Sequence, residues 1–154
     1  MKLSEKMRRD LIAAWEDSET LEEAVLNIQV VVDKFRPAGL PIEEREWGGW
    51  DNNPYSNPEN CGLTLLASAE EDEAWQFDII ALWRDDASGR LFMGQDSGCS
   101  CPSPFEDVTS VSDLTEVVTF PDVMQFIASC SYSNPTDASM GALVRAARSA
   151  VRGS

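Results

Sequence analysis

This chain predicts an α+β fold: a small antiparallel sheet, with its hairpin at about residues 74–95, packed against about four helices. Three observations carry that expectation. Residues 74–84 alternate with period 2, placing Trp75, Phe77, Ile79, Ala81 and Trp83 on one face and Gln76, Asp78, Ile80 and Leu82 on the other. Asp85-Asp-Ala-Ser-Gly89 follows as a hairpin loop in which Gly89 is free to turn left-handed, and residues 90–95 return as the partner strand. Apolar residues at helical spacing recur on both sides of this pair.

In chain order, residues 3–17 read as an amphipathic helix, with Leu3, Met7, Leu11, Ala14 and Trp15 on one stripe. A second helix opens on a capping box, Thr20 with Glu23, and shows the apolar face Leu21, Ala24, Val25, Ile28, Val31, Val32 and Phe35. Its Val30-Val-Val32 run has strand character, but the 3,4-spacing favours helix, and Pro37 and Gly39 end it. Residues 37–62 form a long connection rich in proline, glycine and asparagine, to be packed as a loop, mobile or functional. Its Trp47, Trp50 and Tyr55 argue for a surface to cover, Trp47 on the core side and Trp50 and Tyr55 on the interface side. Residues 63–68 read as a strand, and Glu70-Glu-Asp-Glu73 as a charged turn before the hairpin. The hairpin's 74–84 strand turns apolar on both faces and is expected to be central. Residues 111–118 suit either a short strand or a helical turn. A helix runs over about 120–130 with Thr119 as N-cap and Pro121 near its start, and a last one over about 137–152. Length and continuity favour one domain over 1–154.

The segment Gly94-Gln-Asp-Ser-Gly-Cys-Ser-Cys-Pro-Ser-Pro-Phe-Glu-Asp107 stands apart. Glycines free to take unusual φ and prolines that fix φ make it a conformationally restricted loop on a sheet scaffold, where binding and chemistry concentrate. Its mechanical reading is a clamp, with Asp96 and Ser97 turning the chain, Phe105 plugging the core, and Glu106 and Asp107 facing water. Asp96-Ser-Gly-Cys-Ser-Cys-Pro-Ser-Pro-Phe-Glu-Asp107 resembles the signature of an uncharacterised family of small actinobacteriophage proteins. The likeness covers about residues 75–110 and implies phage origin, not an activity.

Several function classes fall away on composition. The chain lacks histidine, so every Ser–His or Cys–His nucleophile is excluded. Gly94-Gln-Asp-Ser-Gly98 is not a nucleophile elbow, because its serine stands one place late, and neither phosphate-binding glycine signature occurs. Cys61, Cys99, Cys101 and Cys130 lack the two-cysteine knuckle of a zinc site. No enzyme activity, metal or cofactor is expected. No apolar run approaches the roughly 20 residues of a membrane helix, and the charged N-terminus does not read as a signal peptide. A cytoplasmic location, in the host cell, is the expectation.

Net charge is −15, and its distribution is uneven. Residues 1–50 carry 11 acids and 7 bases; residues 51–139 carry 16 acids and 2 bases, Arg84 and Arg90. That field repels nucleic-acid backbones and attracts basic surfaces. The function expected is therefore non-enzymatic binding of a host protein, a basic or nucleic-acid-binding one, that interferes with host defence or regulation. No direct nucleic acid and no membrane are expected as partners, and the apolar face of the first helix allows a homodimer. The binding residues expected are Trp50, Tyr55, Asp85, Asp86, Asp96, Ser97, Glu106 and Asp107. The alternative is a small-ligand or metal-binding module centred on the Gly94–Asp107 loop.

Overall fold

A computed structural model describes residues 5–35, 39–48, 52–70, 76–99, 104–130 and 137–152. It shows four helices, α1 (Glu5–Glu16), α2 (Leu21–Phe35), α3 (Phe120–Ser129) and α4 (Asp137–Arg152). Four strands, β1 (Leu63–Glu70), β2 (Gln76–Asp85), β3 (Leu91–Cys99) and β4 (Thr115–Val117), form one antiparallel sheet in the order β1-β2-β3-β4. The α+β expectation is met. The segment after the loop carries both structures suggested for it, a 3₁₀ turn at Val111–Asp113 and then β4.

The helix starts are written locally. Thr20 Oγ1 accepts from the Glu23 amide at 3.1 Å, while Glu23 reaches back to the Glu19 amide at 3.1 Å. Thr119 caps α3 in a full capping box with Asp122, whose carboxyl is held below its usual range by the Thr119 and Val118 amides. Gly89 turns the hairpin at φ 78°, as its freedom from a Cβ allows.

β2 is central and its two faces are both covered. One face, with Ile79, Ala81 and Trp83, joins Leu63, Phe92, Ile42, Trp47, Cys61 and Phe105. The other, with Ile80 and Leu82, joins Ala69, Leu91, Met93 and Val117 beneath Val123 of α3 and Leu143 and Ala147 of α4. A register shift between Leu65 and Ala67 sets this division in β1, because one extra residue changes which side chains face which layer. Leu65 packs with the first layer, and Leu66 and Ala67 with the second.

Among the described residues the first layer holds no α-helix, only loop and short 3₁₀ turns. Residues 39–48 and 52–62, with 104–114, lie on the sheet as ordered loop. The loop is therefore packed, and its backbone groups find partners, as burial requires. The Trp83 indole donates to Pro54 O at 2.9 Å, Asn53 Nδ2 to Pro104 O at 2.9 Å, and the Trp47 amide to Thr109 O at 2.6 Å.

The α1–α2 hairpin behaves differently. Lys34 meets Asp10 at 3.3 Å and Asn27 meets Ser18 at 2.9 Å, which aligns the two helices antiparallel. The hairpin touches the rest through the 3₁₀ turn at Pro58–Cys61 and a Lys6–Glu59 pair at 3.1 Å. Of α2's expected apolar face only Ala24 and Phe35 are buried; Leu21, Val25 and Val32 are exposed, as is Trp15 of α1. These positions read as core in the sequence, but the hairpin meets the rest at the Pro58–Cys61 turn, which leaves this part of α2 uncovered.

Candidate functional site

The loop after β3 returns onto the sheet through one residue. Phe105 has φ 61°, the one non-glycine residue with positive φ among those described, and its side chain is fully buried. Such a backbone is uncommon outside glycine and persists only where its surroundings hold it. Here an Asp96 carboxylate oxygen accepts the Phe105 amide at 2.7 Å, and the other accepts the Ser97 amide at 3.0 Å. The ring stands edge-on to Trp83 at 5.1 Å and tilted against Tyr55 at 5.3 Å. Gly94 makes room: a Cβ there would lie 2.8 Å from Leu114 Cδ2, 3.2 Å from Trp83 and 3.3 Å from Phe105. Part of the expected clamp is formed: Phe105 is the buried plug, and Glu106 and Asp107 are exposed. Asp96 and Ser97 do not turn the chain, because β3 runs on past residue 95 to Cys99 and pairs them with Ile79 and Asp78; Asp96 instead holds the Phe105 amide.

The clamp organises an acidic edge. Glu70 of β1, Ile79 of β2 and Asp96 of β3 are direct cross-strand partners, so their side chains share a face. Glu70 and Asp96 are then about 10 Å apart, two strand spacings. Tyr55 bridges from the loop above, its hydroxyl donating to Glu70 and lying 3.2 Å from Ser68 Oγ. Burial, and then the bond to Glu70, push the Tyr55 hydroxyl up to about 12, so it remains a neutral donor. Glu106 and Asp107 follow the plug directly and are exposed, as is Ser97. No lysine or arginine occurs in residues 91–139, which supply Asp96, Glu106 and Asp107.

The residues expected to bind thus divide. Tyr55, Asp96, Glu106 and Asp107 gather around the plug. Ser97 is beside them but alternates to the opposite face with its partner Asp78. Asp85 and Asp86 sit at the far end of the hairpin, about 20 Å away along β2. Asp85 is buried, which removes it from any exposed face: Arg45 Nη1 donates to it at 2.7 Å and Ser88 Oγ at 2.6 Å. Burial raises its pKa, and the bonds from Ser88 and Arg45 outweigh that and leave it lowered. Arg45 also donates to Leu40 O at 2.8 Å and Cys61 O at 3.2 Å, so the pair pins the loop layer to the hairpin. Asp86 is exposed and accepts from Thr64 Oγ1 at 2.6 Å. Trp50 lies outside the described residues, as do Ser100–Ser103 of the loop and Glu71–Trp75 before β2. Trp47 is buried, on the core side as expected.

Glu70 is the site residue that sequence reasoning assigned to a charged turn. Its place opposite Ile79 and Asp96 follows from the register shift in β1, which no local pattern announces.

The cysteines do not converge. Cys61 packs in the loop layer and Cys130 against the helical layer, on opposite faces of the sheet, so the four cannot share one ion. Burial pushes the Cys61 thiol up to about 12, and that of Cys130 also up, making both poor thiolates. Among the described residues no three ligand-type side chains form a metal cluster, and no helix is long and apolar enough to cross a membrane.

The family model described as Domain of unknown function (DUF7574) matches residues 52–153, which hold the sheet, the clamp, α3 and α4. No match was found among curated proteins or among solved structures. The chain belongs to the DUF7574 family.

Proposed function

We propose that this DUF7574 member is a phage-encoded, non-enzymatic binding protein whose acidic edge docks a basic protein of the host, at the expense of host defence or regulation. One observation carries the reading. The Phe105 clamp fixes Glu106 and Asp107, exposed, near Asp96, Glu70 and the Tyr55 ring, all drawn from two runs of chain, 46–83 and 91–139, that carry no lysine or arginine. A rigid aromatic ringed by carboxylates suits a protein interface, where aromatics anchor and charges steer encounter. The same sign of field disfavours nucleic acid. Asp96 and Glu70 already accept bonds from the protein itself, which fits a structural and docking use of these acids better than proton transfer. The phage resemblance of the loop supplies the host setting, with a cytoplasmic location.

Capture from an actinobacterial host lysate tests it. The tagged chain should retain a basic protein at low salt and release it near 1 M, where the screening length falls from about 10 Å at 0.1 M to about 3 Å. The Glu106→Lys/Asp107→Lys variant, altered only at exposed positions, should not retain it. Equal capture by that variant, or nothing above bare resin at low salt, contradicts the proposal.

A further inference from the structure

The second exposed feature is apolar and lies on the α1–α2 hairpin, outside the family-matched residues 52–153. Leu21, Val25, Ile28 and Val32 follow one another at spacings of four, three and four, the seam of a heptad pattern. Leu21 is 71% exposed, Val25 59% and Val32 37%, with Ile28 half-buried between them. On α1, Trp15 is 58% exposed and Ile12 51%. Trp15 and Leu21 line one open concavity of about 240 Å³ at the hairpin tip. A seam and a neighbouring tryptophan, open to water, form a patch larger than scattered surface apolars.

The charges around this patch identify what covers it. The tip carries Glu16, Asp17, Glu19, Glu22 and Glu23, all exposed, and no base occurs between Arg9 and Lys34. Toward the open end the described bases Lys6, Arg8, Arg9 and Lys34 outnumber the acids Glu5, Asp10 and Asp33, and Arg8 and Arg9 are both exposed. Arg8 and Arg9 stand about 11 Å along α1 from Glu16, just beyond the roughly 8 Å screening length at physiological salt. The hairpin is therefore an electrical dipole with an apolar flank. A second copy turned end for end sets acidic tip on basic foot at both ends while the two flanks meet. A parallel pairing would set five carboxylates against five.

We infer that the α1–α2 hairpin is a homodimerisation module, two copies packing antiparallel through Trp15, Leu21, Val25 and Val32 into a four-helix bundle. Trp15, Leu21, Val25 and Val32 present on the order of 400 Å² per copy, so two copies bury about 800 Å², and the charged rim supplies the remainder of the ~1,200–2,000 Å² that specific interfaces bury. The surface is distinct from the acidic edge, so either assignment stands or falls without the other.

Sedimentation velocity of the full chain tests it. Wild type should be a dimer at tens of micromolar, and Leu21→Gln/Val25→Gln/Val32→Gln a monomer with unchanged helical circular dichroism. Leu26→Gln/Val30→Gln, equally exposed but on another side of α2, should remain dimeric. Arg8→Glu/Arg9→Glu and Glu22→Lys/Glu23→Lys should each weaken the dimer at least tenfold, and their combination should regain most of the loss. A wild-type monomer at about 100 µM overturns the inference. So does a dimer that survives the triple substitution, or charge reversals that fail to compensate.

Discussion

Gly94→Ala puts the clamp to a quantitative test. Gly94 has ordinary extended backbone, so alanine is conformationally acceptable there. If space were free, the substitution would stabilise by about 0.4–1 kcal/mol, because alanine restricts the unfolded chain more than glycine does. Space is not free. The new methyl would stand 2.8 Å from Leu114 Cδ2, and the ring atoms at 3.2 Å and 3.3 Å belong to Trp83 and Phe105, both fully buried. Leu114 can swing away, but the two rings are wedged edge to face and cannot. Overpacking of this kind costs about 1–3 kcal/mol. For a chain of this size, 2 kcal/mol lowers the melting temperature by about 4–8 °C. Calorimetry of the variant should show that fall, and adding Leu114→Ala should cost less than the two single changes together, because it clears the nearest atom. A melting temperature equal to or above wild type would refute the claim that the plug and the glycine form one packed unit.

Other consequences follow from single contacts. Arg45→Met leaves Asp85 buried without its cation and should cost about 3–5 kcal/mol in urea unfolding. Asp85 has a lowered folded pKa, so its stabilisation is present above the unfolded value near 3.9 and fades as pH falls through the folded one. The stability gap between wild type and Asp85→Asn should accordingly narrow as acid is added; a gap that widens would reverse the assignment. Tyr55→Phe should lose about 1 kcal/mol with its hydrogen bonds. The Tyr55 phenolate, read as wild-type minus variant absorbance, should appear near pH 12, and the stability it confers should be present below about pH 10 and decline above. Ionisation already at pH 10 would mean the hydroxyl is not held at Glu70. Iodoacetamide at pH 8 should leave Cys61 unlabelled until the chain unfolds, as peptide mapping can show; rapid native labelling would contradict its burial.

The parts legible in the sequence were those decided by near neighbours. Thr20 and Thr119 cap their helices through residues three positions on, and Gly89 turns its hairpin because of its own missing side chain. Phe105 was legible as a plug because the loop offers no other large apolar residue. What the sequence hid was non-local. Asp85 reads as one of many surface acids, and only the approach of Arg45, forty residues earlier, makes it an interior ion pair. Glu70 joins Asp96 through a register that one extra residue in β1 decides. Val25 and Val32 repeat at core spacing, yet periodicity records only that a face is apolar, not whether this chain or another covers it.

Carboxylate footprinting of the captured complex tests the central claim most directly. Carbodiimide labelling, followed by peptide mapping, compares each exposed acid with and without the basic partner. The account predicts that Glu106 and Asp107 are shielded in the complex, while Asp86 at the far end of the hairpin and Glu22 and Glu23 on α2 label at unchanged rates. Unchanged labelling of Glu106 and Asp107, with shielding elsewhere, would contradict it.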